Sequence, residues 1–111
     1  MELDVFEAVR GNLGDELLAK LLGRSVSSVR LYAKGRRRVP DMIARRLEWL
    51  HRISFDLAGG YKPTGIQAWF ERPRTQIGWR SPSHILRLDW QPADPDVEAV
   101  AALAARLRGP R

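Results

Sequence analysis

Apolar side chains in this chain recur three and four residues apart, in short runs closed by glycine or proline, and nowhere do they alternate as a strand requires. Such punctuation dictates a stack of short helices. Residues 4–10 carry Val5, Phe6 and Val9, with Gly11-Asn12 as the expected stop. Residues 14–22 carry the stripe Leu17, Leu18, Leu21 and Leu22, closed by Gly23. Ser25 is placed to cap a third helix that runs to about Lys34, with Val26, Val29 and Tyr32 or Ala33 inward and Gly35 closing it. A long helix is predicted over 40–58 along Ile43, Leu47, Leu50 and Leu57. Gly59-Gly60 and Lys62-Pro63-Thr64-Gly65 follow as turn chemistry and mark the one plausible internal boundary.

Beyond it the pieces shorten. Residues 65–71 hold Ile66, Trp69 and Phe70 before Pro73. Ser81-Pro82 opens a turn or two reaching Leu88, by placing a capping Ser before a first-turn Pro. Asp94-Pro95 repeats that signal and starts a last helix to Arg108, with Val97, Val100, Ala104 and Leu107 on its apolar face.

With no Cys in 111 residues, disulfides, thiolate zinc sites and Cys nucleophiles are excluded, so apolar burial must hold the fold. A hydrophobic fraction of 44%, four Trp among it, is enough to supply one core. Nineteen Lys and Arg oppose 13 Asp and Glu, giving a net charge of +6 and a pI near 10.7. That balance favours a polyanion as partner, most simply nucleic acid. No run of 18 apolar residues offers a membrane span, and Met1-Glu2-Leu3-Asp4 lacks the basic-then-apolar order of a secretory leader. The expectation is a cytoplasmic chain without membrane contact.

The positive charge is concentrated. From Lys20 to Arg46 there are nine Lys and Arg (20, 24, 30, 34, 36, 37, 38, 45, 46) against the single acid Asp41. Inside that stretch Ala19, Gly23 and Val29 stand where a helix-turn-helix needs a small residue at the helix crossing, a residue tolerant of positive φ at the turn, and an apolar pin on the second helix. Leu18 and Leu22 flank the small residue. The second helix then offers Ser27, Ser28, Arg30 and Lys34 to base edges in a major groove, with Arg36, Arg37 and Arg38 on phosphates. The plainer reading is a helical hairpin with a solvated basic face. The predicted fold is all-α: an N-terminal helix-turn-helix bundle, residues 1–58, joined by the long helix to a small helical C-terminal unit, residues 59–111.

In that second unit Trp69 is followed four residues on by Pro73, then by Ile77-Gly78, Ser81-Pro82 and Ile85-Leu86, and a closing amphipathic helix ends at Gly109. Each residue has a plain role: an aromatic anchor, a helix stop, a turn, a cap. Their joint spacing, together with the helix-turn-helix half, resembles the Xre/MbcA/ParS group of antitoxins over nearly the whole chain. The group commonly has Asn where Arg74 stands and a second Gly where Trp79 stands. The resemblance implies a type II antitoxin. Its protein partner would be a RES-domain toxin that consumes NAD, covered at its active-site cleft by the antitoxin's C-terminal portion. It also implies that the N-terminal half binds the operon's own promoter DNA, often as a homodimer.

For the toxin face the candidates are Trp79, Arg80, Trp90, Arg106, Arg108 and Arg111. Interfaces favour Trp, although either Trp could equally serve the core. A cleft built for a pyrophosphate favours anions, so a basic tail could block it. Cations completing a helix C-terminus explain the same tail more simply. Catalysis is not expected, nor any metal or cofactor. His51 and His84 lack a second imidazole at ligand spacing, and Ser81 reads as a cap. Asp94, Asp96 and Glu98 suit a helix start, and Gly59-Gly60 lacks the pattern of a phosphate loop. The alternative function is a stand-alone helix-turn-helix repressor whose C-terminal half dimerises. A scaffold that binds no DNA is the third.

Overall fold

The computed structural model describes residues 3–108. Seven helices follow one another: α1 (Leu3–Leu13), α2 (Asp15–Leu22), α3 (Val26–Ala33), α4 (Asp41–Leu57), α5 (Pro63–Glu71), α6 (Pro82–Ile85) and α7 (Pro95–Ala105). A 3-10 turn, Thr75–Ile77, lies between α5 and α6. No strand occurs among the described residues, and the single isolated bridge pairs Arg74 with Arg80. The chain is all-α, as its apolar spacing predicts.

Two helix starts obey their capping Ser, whereas Asp94 makes no cap to α7 because its carboxylate accepts from the Gln91 N–H at 2.9 Å. Ser25 Oγ accepts from the Ser28 N–H at 3.1 Å, and Ser81 Oγ accepts from the His84 N–H at 3.1 Å. Gly23, at φ 71°, turns the chain between α2 and α3. Its left-handed backbone lets the Arg24 N–H reach back to the Ala19 carbonyl at 3.0 Å, closing α2.

Four boundaries differ from the sequence reading, and the first is α5, which starts at Pro63 inside the stretch expected as a turn because Pro suits the first helical position. α1 runs through Gly11-Asn12 to Leu13, because Leu13 is fully buried and continues the Phe6–Val9 stripe. Burying a Leu stabilises by about 1.5–3 kcal/mol, more than the ~1 kcal/mol that a helical Gly costs. The break falls instead at Gly14, where φ is 78°. α6 stops at Ile85, since Leu86 leaves helical geometry and Leu88 takes φ 57°. α7 stops at Ala105, and Arg106 caps it.

Buried side chains from α1 through α7 form one cluster. α1 packs on both α4 and α5, and α4 packs on α7. Residues before and after Gly59-Gly60 therefore share this core. Trp90 leans on Trp49 with ring centroids 5.2 Å apart, and its indole N–H donates to the Leu21 carbonyl at 2.7 Å.

Candidate functional site

α3 buries Val29, Tyr32 and Ala33 and leaves Ser27, Arg30 and Lys34 exposed on its other side. Arg36, Arg37 and Arg38 follow in the exposed loop before α4. The predicted DNA-contact residues thus stand on α3 and the loop that leaves it, but three of them, Ser28, Arg30 and Arg37, are already engaged. The Ser28 hydroxyl, half-buried, accepts from Ser25 Oγ at 3.1 Å and from Arg37 Nη1 at 2.9 Å. It therefore holds the Arg37 guanidinium against α3. Arg30 Nε donates to Asp15 at 3.3 Å. Asp15 also accepts two bonds from Arg10, at 2.7 and 3.0 Å. Those bonds, and then the Arg30 contact, hold the Asp15 carboxyl below its ordinary range against the opposing effect of burial.

Of the nine cations between Lys20 and Arg46, eight are exposed. Arg46 is the exception, at 2% exposure. Its guanidinium donates to the carbonyls of Leu22 (3.1 Å), Leu88 (3.2 Å) and Trp90 (3.0 Å) and lies over the Trp90 ring. Burial lowers its pKa, with Asp89 and Arg24 acting on it from nearby.

In the second half, the Arg74 N–H donates to the Arg80 carbonyl at 3.1 Å, and the Trp79 N–H donates to the Arg74 carbonyl at 2.8 Å. These bonds close a tight loop in which Gly78 (φ 71°) and Trp79 (φ 61°) are both left-handed. Arg74 also stacks on Trp69, 4.8 Å from the ring centroid, which fixes the base of the loop to α5. The Trp79 side chain is 72% exposed. Arg80 is tied to the Ile77 carbonyl and to Asp96 on α7, each at 2.9 Å. An open cleft of about 490 Å³ runs beside it, lined among others by His84, Arg87, Asp89 and Asp94.

Trp90 does not belong on an exposed face. At 3% exposure it is a core residue, drawn in by Trp49 and by the Leu21 carbonyl that its N–H satisfies. Arg108 is half-exposed and bonds Asp56 of α4 at 2.9 and 3.2 Å, so its charge is spent within the fold. Arg106 is exposed at the end of α7. Arg111 lies outside the described residues.

The residue missed by sequence reasoning is Leu88. It is 82% exposed with φ 57°, between Arg87 and Asp89, and it lines an open groove at the α2–α3 turn with Lys20, Arg24 and Met42. The one signal in the sequence is a large apolar residue between two charges, Arg87 and Asp89. Among the described residues, no group of three His, Asp or Glu side chains gathers as metal ligands, and no helix is long and apolar enough to cross a membrane. Compared with family models, curated proteins and solved structures, the chain matches none.

Proposed function

We propose that this chain is a cytoplasmic type II antitoxin. It captures a RES-type NAD-degrading toxin with its C-terminal half and binds its own promoter through α2 and α3, read as a helix-turn-helix. One observation carries the partner reading. The two non-glycine residues with positive φ, Trp79 and Leu88, are both large, apolar and mostly exposed. A left-handed L residue costs roughly 1–2 kcal/mol, and an exposed apolar side chain recovers little of that in the free chain. At Trp79 both features are accounted for when a protein partner covers the side chain, whereas Leu88 lies in the groove at the α2–α3 turn. The left-handed backbone at Trp79 is also the conformation a glycine adopts freely, which accords with the Gly that the antitoxin group commonly has there.

The exposed cations of α3 and the following loop support the DNA reading. Arg36, Arg37 and Arg38 supply the sequence-blind phosphate grip, and Ser27 and Lys34 are exposed for base edges, with Arg30 joining them on release from Asp15. The same face supports the second reading, a stand-alone repressor, because its basic residues are assembled in the single chain without a partner.

Expression of the tagged chain in its native host, with recovery at moderate salt and mass spectrometry of the eluate, separates the two. The expected result is a stoichiometric partner that consumes NAD only after this chain is stripped from it. Recovery of the chain alone, or with DNA only, overturns the antitoxin reading in favour of the repressor.

A further inference from the structure

The basic surface does not end with α3. An open groove of about 530 Å³ lies at the α2–α3 turn, and residues from both halves of the chain line it. Lys20 and Arg24 come from α2 and the turn, Arg46 from α4, and Arg87 from the loop after α6. Asp89 is the one acid in the lining, so its formal charge is +3 (four cations less one anion).

Two of the four cations here, Arg24 and Arg87, are unspent. Arg24 donates only to the carbonyl of its neighbour Gly23, at 3.2 Å. Among the described residues Arg87 has neither an ion-pair nor a side-chain hydrogen-bond partner, and Lys20 reaches Glu71 only at 3.5 Å. The buried Arg46 faces three carbonyls and no carboxylate within ion-pair distance, so its charge adds to the potential of the groove. Arg24 immediately precedes Ser25, the cap of α3. The groove is thus continuous with the start of the proposed recognition helix.

We propose that this groove is a phosphate-binding site for the backbone of duplex DNA. It would extend the footprint of α3 onto the C-terminal half through Arg24 and Arg87. The inference rests on the DNA-binding reading above and adds to it a contact that the helix-turn-helix alone does not provide. Unpaired cations at the foot of a recognition helix neutralise phosphates without reading bases. Their contribution is therefore sequence-blind and salt-dependent.

The test uses the full chain, with any partner that copurifies. Two duplexes serve as probes: the DNA upstream of its own reading frame, and an unrelated sequence of equal length. Affinity is measured against salt for the wild type, Arg24→Gln, Arg87→Gln, Lys34→Gln and Arg52→Gln. Arg52, exposed on α4 and outside the groove, controls for loss of charge alone. Thermal melts check that each variant folds.

The expected result is a severalfold loss for Arg24→Gln and Arg87→Gln on both duplexes. Each should lower the slope of log affinity against log salt by about 0.9, the value of one released phosphate contact. Arg52→Gln should match the wild type. Wild-type behaviour of the Arg24 and Arg87 variants, beside weakened Lys34→Gln, overturns the groove and leaves DNA binding by α3 standing. Equal losses in the Arg52 and Arg87 variants also overturn it, since general charge then accounts for both. A wild-type chain that binds neither duplex in a salt-dependent way overturns the groove and the DNA reading together.

Discussion

Trp79 sits at φ 61° with 72% of its side chain in solvent. Replacing it by Gly removes a left-handed penalty of about 1–2 kcal/mol and introduces the roughly 0.5–1 kcal/mol entropic cost of a glycine. The indole packs too little for its loss to reverse that sum. Trp79→Gly is therefore expected to leave the urea midpoint unchanged or slightly raised. Capture of the protein partner should fall at least tenfold, as for an interface anchor. An unfolded Trp79→Gly chain, or undiminished capture, contradicts the assignment. The comparison with Trp90 shows what single residues reveal in a sequence. Both are Trp in the second half, and local pattern treats them alike. The partner that buries Trp90 is the carbonyl of Leu21, 69 positions away, and no local reading reaches it. Leu88 is the converse case. Its apolar side chain between two charges was visible, but its left-handed backbone depends on how α6 ends.

At the scale of elements, the signals that act within one turn were legible. Ser25 and Ser81 cap the helices they precede, and Gly23 ends α2, because each works on backbone two to four residues away. The end of α1 was not, because burial of Leu13 is decided by α4 and α5 rather than by Gly11. The start of α2 joins fold to function. Asp15 complements the N-terminal dipole of α2 while binding Arg10 on α1 and Arg30 on α3. Its folded pKa lies below the ordinary 3.8. A carboxyl depressed in the folded state contributes its full stabilisation above that ordinary value and loses it as pH falls through the folded pKa. Urea stability should therefore decline below about pH 4, and Asp15→Asn should flatten part of that decline while being less stable at neutral pH. The same substitution frees Arg30, so DNA affinity should rise severalfold. A fall in affinity means that Asp15 orients Arg30 rather than restraining it.

Across the whole molecule, two long-range arginine ties help bind the halves on either side of Gly59-Gly60. Arg108 holds Asp56, an acid buried near the C-terminal end of α4 where the helix dipole opposes it. Arg46 holds the carbonyls at the end of α2 and in the 88–90 loop together. The run of basic residues counts Arg46 among nine cations without setting it apart from the rest. Its actual place follows from geometry: the last carbonyls of α2 point inward, and inward-facing acceptors need donors. Trp90 satisfies Leu21, and the Arg46 fork satisfies Leu22 along with Leu88 and Trp90. A lysine ammonium on a shorter, unforked chain cannot serve three divergent acceptors. Each buried acceptor left unpaired costs about 1–3 kcal/mol. Arg46→Lys is therefore expected to lower unfolding free energy by about 3 kcal/mol or more. Because the buried side chains form one cluster, helical circular dichroism and Trp fluorescence should lose signal in a single coincident urea transition, in wild type and variant alike. Two separate transitions would mean that the halves fold as independent units. In that case the groove shared by Lys20, Arg24 and Arg87 would be an alignment of two bodies rather than a preformed site, and its phosphate contact would depend on their docking.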